Sequence, residues 1–415
     1  WTAAYTAHAS DTDGSVTYSI AFSDSAGNAG TAVTGGSGSV TFDKTAPTLS
    51  SVSIASNNST TTLAKASNVV TLTFTASETI ATPVVTFQSG SAAITNTSIT
   101  YVNTSGNIWT AAYTAHASDT DGSVTYSIAF SDSAGNAGTA VTSGSGSVTF
   151  DKTAPAITGT TVASNNASIA VTFSEAVYNT SGGSGALEAS DFTLTLSGGT
   201  ATLSSATPSS ISSSSNTYTL GLSLSGTPNG SETITVVPSS STAIYDAVGN
   251  AASTSQSNNT VTLNDKTAPT LSSVSIASNN STSTLAAVGD NVTLTFTASE
   301  TISTPVVTFV SGGAAITDTS VTYVNTSGNT WTAVYTTESN DTTGSVAYSI
   351  AFSDSAGSAG TAVTSGGGSV TFDKTAPTLS SVSIASNNST STLAAVGNNV
   401  TLTFTASETI STPVV

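Results

Sequence analysis

Few residue types in this 415-residue chain can do chemistry: it has 23 carboxylates, 5 lysines, 2 histidines and no cysteine. The carboxylates recur at fixed places. One is the aspartate of an Asp-Lys-Thr-Ala-Pro segment, at Asp43, Asp151, Asp265 and Asp373. A second is a glutamate preceded by serine, at Glu78, Glu175, Glu300 and Glu408. A third opens Asp-Ser-Ala-Gly or Asp-Ala-Val-Gly, at Asp24, Asp132, Asp246 and Asp354. A further acidic turn supplies Asp11 and Asp13, then Asp119 and Asp121, then Asp341, which has Thr343 where the second aspartate would be. Converging carboxylates repel strongly unless cations or protons neutralise them. A donor set of hard oxygens without Cys or His favours Ca²⁺ over Mg²⁺ or Zn²⁺, and backbone carbonyls with Asn28 or Asn136 could complete its shell. A purely structural reading is also open: Asp and Asn make Asx-turns, and Asp13-Gly14 is a hairpin signal.

Whether these groups meet depends on the elements that carry them, and a repeat defines those. The four Asp-Lys-Thr-Ala-Pro segments are spaced 108, 114 and 108 residues apart, about the size of one β-sandwich. Residues 1–47 match 109–155 except for Gly35 against Ser143, and 271–307 match 379–415 except for Asp290 against Asn398. This module is type A; residues 156–269 share its skeleton with a different sequence, type B. The expected organisation is part of a type A module (1–47), type A (48–155), type B (156–269), type A (270–377) and the start of another type A (378–415). Both ends fall inside a module, which suggests a window from a longer repetitive protein.

Period-two alternation, as in Val16, Tyr18, Ile20 and Phe22, predicts strands and not helices. In the complete type A module the expected strands lie near 49–54, 69–76, 84–87, 99–102, 109–114, 124–130 and 146–150. Seven short strands with Gly, Asn and Asp between them predict an all-β fold: tandem Ig-like sandwiches, extended like beads on a string. In that topology the linker, the loop after the second strand and the loop after the sixth share one end of a module. Asp43, Glu78 and Asp132 should therefore converge, as should Asp151, Glu175 and Asp246, and Asp265, Glu300 and Asp354. An Asx-turn explains each loop singly but not this shared end. The acidic turn after the fifth strand should face the next module, bringing Asp11 and Asp13 toward Asp43. Type B has Thr227-Pro-Asn229-Gly230 there, so the joint at Asp265 is expected to hold an ion more weakly.

Composition excludes several classes. A net charge of −18 and a pI near 4.1, with no Arg, repel nucleic acid and anionic membranes. No run of about 18 apolar residues is present to span a bilayer. Zero Cys excludes disulfides and thiol chemistry. Ser and Thr exceed a third of the chain, yet the alternating apolar positions argue against disorder, and the composition suits a β protein outside the cytoplasm.

Phe-Asp-Lys-Thr-Ala-Pro at the joints, Phe-Thr-Ala-Ser-Glu or Phe-Ser-Glu after the second strand, and Asp-x-x-Gly-Asn before the last resemble the bacterial Ig-like repeats of giant cell-surface adhesins, filaments and surface-layer proteins. The resemblance implies an extracellular stalk at the bacterial cell surface, with Ca²⁺ at module joints. Ser358 replaces the motif asparagine in one copy. The favoured reading is a structural stalk or filament whose partners are its own neighbouring modules. Alternatives are a subunit packing against copies of itself through glycine-rich stretches such as 34–38 and 365–369, and a glycan- or protein-binding array with Trp109 and Tyr113 as a stacking platform. Those glycine stretches read more simply as flexible loops, and the two aromatics as core. An enzyme is not expected: His8 and His116 occupy one repeat position, which Glu338 fills in the next copy. Lys65 is the one lysine outside the linkers, and Ala287 and Ala395 take its place elsewhere, which argues against a systematic isopeptide crosslink.

Overall fold

The computed structural model describes residues 1–415, an all-β chain with one short 3-10 turn at Ala189–Asp191. It forms two compact units, Trp1–Gly226 with Gly230–Asn264, and Thr227–Asn229 with Asp265–Val415.

In the first unit, residues 48–155 build two sheets. One runs Leu49–Ser56, Val69–Ala76, Ile108–Thr114, Thr100–Ser105, all antiparallel. The other runs Leu63–Ala64, Thr149–Phe150, Gly122–Ala129, Val84–Ser89, Ala92–Ala93, with only the first pair parallel. This strand order is Ig-like. Alternation explains the packing. Val70, Leu72 and Phe74 are fully buried while Thr71, Thr73 and Thr75 take the other face, where β-branched residues suit extended backbone. Each such Leu or Phe contributes about 1.5–3 kcal/mol through burial. Trp109 and Tyr113 also point inward, the Tyr113 ring 4.8 Å from Phe87, so they are core and offer no sugar platform.

The glycine-rich stretch before Thr149–Phe150 is not a free loop. Ser145 donates its N–H to the Val52 carbonyl at 2.8 Å, and Ile54 donates to the Ser145 carbonyl at 3.1 Å. A Cβ on Gly144 would sit 2.4 Å from the Val52 oxygen, so only glycine allows the approach. In the second unit Gly367 is zipped to Val274 and Ile276 in the same way. The backbone of these stretches is thus used within its own module.

Residues 156–264 have a separate core that includes Phe173, Phe192, Leu220 and Ile234. One sheet runs Ile157–Val162, Ser168–Phe173, Thr217–Gly221, Ile211–Ser214; the other runs Phe192–Ser197, Thr233–Pro238, Thr260–Thr262. At the start of the chain, Gly14–Ser15 pairs with Thr41–Phe42, and Trp1, Tyr18 and Phe22 are exposed.

The second unit repeats the type A pattern. Leu271–Ser278, Asn291–Ala298, Thr330–Thr336 and Thr322–Ser327 form one sheet, and Leu285–Ala286, Thr371–Phe372, Gly344–Ala351, Val306–Ser311 and Ala314–Ala315 the other. Register is kept: Phe296 lies opposite Trp331 as Phe74 lies opposite Trp109. Leu379–Ser386 pairs with Val400–Ala406. No helix of the chain is long and apolar enough to cross a membrane.

Candidate metal centre

Local hydrogen bonds bring the carboxylates together. After Val69–Ala76, Ser77 donates its N–H to the Thr48 carbonyl at 2.9 Å and accepts from the Thr48 N–H at 3.0 Å on its hydroxyl. That clamp fixes the linker against the residue before Glu78. Ser174, Ser299 and Ser407 make the same pair with Ala156, Thr270 and Thr378. A bridge between Ile80 and Asp132 then joins the two loops, matched by Ile302 with Asp354, and by Tyr178 with Tyr245 in type B.

The result is three acidic groups: Asp43, Glu78 and Asp132; Asp151, Glu175 and Asp246; and Asp265, Glu300 and Asp354. In each, one carboxylate oxygen per residue lies within 4.8 Å of the others. A cation bound by oxygens at about 2.3–2.6 Å spans such a separation. In each group the third aspartate is buried and the other two are half-buried. Asp373 and Glu408 hold the corresponding first two places in a fourth copy.

Electrostatics records the crowding. Burial, reinforced by Asp246 and Asp151, pushes the Glu175 carboxyl up to about 7. Glu78 and Glu300 are also raised, first by burial and then by their acidic neighbours. Asp151 is raised by burial, against the hydrogen bond from Thr153, with Asp246 and Asp121 adding to the rise. Asp132 moves the other way: burial pushes it up, but hydrogen bonds led by the Asn136 side chain and backbone outweigh that.

Asx-turn geometry coexists with the groups and does not replace them. The linker aspartates each accept the N–H two residues on, from Thr45, Thr153, Thr267 and Thr375. Asp246 Oδ1 accepts the N–H groups of Val248, Gly249 and Asn250. The Asn250 amide donates both to Asp246 Oδ2 at 2.8 Å and to the Asp151 carbonyl at 3.1 Å, and Asn136 bridges Asp132 and Asp43 likewise. Ser358 cannot. In its copy Asp354 Oδ1 accepts the Ser358 N–H, while Oδ2 is buried without a hydrogen-bond partner.

The acidic turns do a different job. Asp119 is buried and accepts from the Thr95 and His116 N–H groups, and Asp341 accepts from Thr317 and Glu338. Asp11 similarly accepts from His8. These three brace their own loops. Asp13 and Asp121 hold the linker, accepting the N–H of Lys44 or Lys152 and the hydroxyl of Thr45 or Thr153. Asp13 is near enough to help raise Glu78, and Asp121 to help raise Asp151. In type B the Pro228 carbonyl takes over, accepting from the Lys266 N–H and the Thr267 hydroxyl. The linker lysines cap the same turn: Lys44, Lys152 and Lys374 donate to the carbonyls of Asp11, Asp119 and Asp341. Recurrence in every linker is the sequence signal for the lysine and threonine, and recurrence before Glu78, Glu175, Glu300 and Glu408 that for the clamp serine.

No family model matches the chain, and no curated protein matches it. Solved structures do. An I-band fragment from titin is 11% identical, covering 80% of this chain and 99% of its own, with a TM-score of 0.27. A tetra-tandem repeat in the extending region of a large adhesion protein is 19% identical, covering 88% of this chain and 84% of its own, with a TM-score of 0.30. The Ig-like assignment rests on the strand order and pairing described above.

Proposed function

We propose that this chain is a structural repeat region of a long extracellular bacterial surface protein, an adhesin stalk or surface filament, in which Ca²⁺ at the acidic groups stiffens the linkers. The observation that carries the reading is the threefold recurrence of one linker aspartate, one glutamate and one buried aspartate within ligand distance, in two type A modules and in a type B module of otherwise different sequence. An ion held there ties the incoming linker to two loops of the module it enters. The donor set suits a hard cation, since carboxylates are its only side-chain ligands of high charge. The buried, unpartnered Oδ2 of Asp354 supports the fit, because an orphaned carboxylate oxygen is costly unless something pairs with it.

Calorimetric titration of the full chain with Ca²⁺, together with thermal unfolding and solution scattering in Ca²⁺ and in EDTA, tests this. Binding at the three groups should raise the melting temperature, each site adding about 2.7 kcal/mol at a hundredfold excess over its Kd. Equal melting temperatures and equal maximum dimensions in the two buffers would show that no cation stiffens the chain.

A further inference from the structure

Lys65 lies at the end of the 48–155 module, follows the short strand Leu63–Ala64, and is half-buried. Its ammonium donates to the Gly249 carbonyl of the type B module at 2.5 Å. Two neighbours make parallel contacts: the Asn58 amide donates to the Val248 carbonyl at 3.0 Å, and the Ser59 hydroxyl reaches the Gly182 carbonyl at 3.5 Å. The receiving surface is shaped for close approach. Gly249 has φ +93°, and a Cβ there would stand 2.2 Å from the Ser181 carbonyl oxygen and 3.1 Å from the Lys65 ammonium. The same loop carries Asp246, so the one lysine outside the linkers meets type B beside its acidic group.

We infer that Lys65, with Asn58 and Ser59, is a latch that fixes the type A module of residues 48–155 onto the 178–183 and 245–250 loops of the type B module without needing a bound cation. The partner it fits is a backbone carbonyl in a glycine-flanked loop with negative charge nearby, and a long cationic side chain reaches it where alanine could not. Asn280 and Asn388 retain the asparagine, but Ala287 and Ala395 lack the ammonium, so the latch belongs to the module that precedes type B. This deepens the stalk reading by giving one joint a stiffening element independent of Ca²⁺.

The absence of Cys allows site-specific spin labels in the full chain at two exposed positions, Thr104→Cys and Ser213→Cys. Pulsed dipolar spectroscopy in EDTA should give a narrow distance distribution. Lys65→Ala should broaden it, raising the population outside the main distance about tenfold, the size expected for one charge-assisted hydrogen bond. Lys65→Arg should keep it narrow, and Lys65→Ala should leave unfolding of the modules unchanged. A parent distribution already broad in EDTA and narrowed only by Ca²⁺ would overturn the latch while leaving the calcium reading intact. A Lys65→Ala distribution identical to the parent in EDTA would also overturn it. Insensitivity of Lys65→Ala to added Ca²⁺ would count against the calcium reading alone.

Discussion

The acidic groups around Asp246 and Asp354 have the same three carboxylates and opposite internal accounting. Asp246 is saturated: three N–H groups on one oxygen and an asparagine amide on the other, with that amide also holding the linker carbonyl. Asp354 accepts the Ser358 N–H on Oδ1 and has a buried Oδ2 without a donor. One substitution, Ser358 for asparagine, accounts for the missing amide. The lesson is that the carboxylate trio and its tether are separable, and that the trio survives where the tether does not. On sequence the Asp265 joint was expected to be the weaker cation site because type B lacks the acidic turn. In the structure Asp13 and Asp121 hold the linker in type A, Pro228 does so in type B, and the oxygen most in need of a partner sits at Asp354.

Three measurements test this contrast. The largest effect is expected from deleting each buried carboxylate in chelator. Asp246→Ala strands three N–H donors and an amide, and should cost about 3 kcal/mol in denaturant unfolding, whereas Asp354→Ala also removes an orphaned oxygen and should cost only about 1 kcal/mol. Equal losses would end the distinction. Next, Ser358→Asn should supply the missing amide, stabilising its module by about 1 kcal/mol in chelator and reducing the gain from added Ca²⁺. A destabilised variant would show that the site has no room for the tether.

The smallest effect is on pH dependence. The folded-state pKa of Glu175 is raised to about 7, so the folded module holds that proton more tightly than the unfolded chain does. The associated stability is fully present below the ordinary glutamate range and is lost as pH rises toward about 7. After allowance for solvent screening the loss is below about 1 kcal/mol. Melting curves in EDTA from about pH 4 to 8 should show it. Glu175→Gln should flatten the slope more than Glu300→Gln, and Ca²⁺ should remove it. A slope of opposite sign would mean that the crowding at Glu175 is relieved in another way.

Much of the fold was legible because alternation and turn residues are local properties. The strands expected near 49–54, 69–76 and 109–114 are found at Leu49–Ser56, Val69–Ala76 and Ile108–Thr114, and the trio was assigned to one end by topology alone. What escaped depends on hydrogen-bond partners far apart in sequence: the clamp by Ser77, the cap by Lys152, the inward turn of Asp119 and the zipped glycines at 144–146. None leaves a periodic signal, because each is a single side chain or a missing Cβ meeting a particular carbonyl or N–H.

The sequence by itself determined the alternation, acidic turn and linker of each repeat, because these are local properties of residue type and spacing. Only tertiary structure decided what neighbouring carboxylates of one turn do. Asp119 and Asp121 stand two residues apart, yet Asp119 is buried and accepts from the Thr95 and His116 N–H groups, while Asp121 is exposed and holds the linker through Lys152 and Thr153. The reason is that their partners arrive from different parts of the chain, and a carboxylate leaves water only where donors meet it.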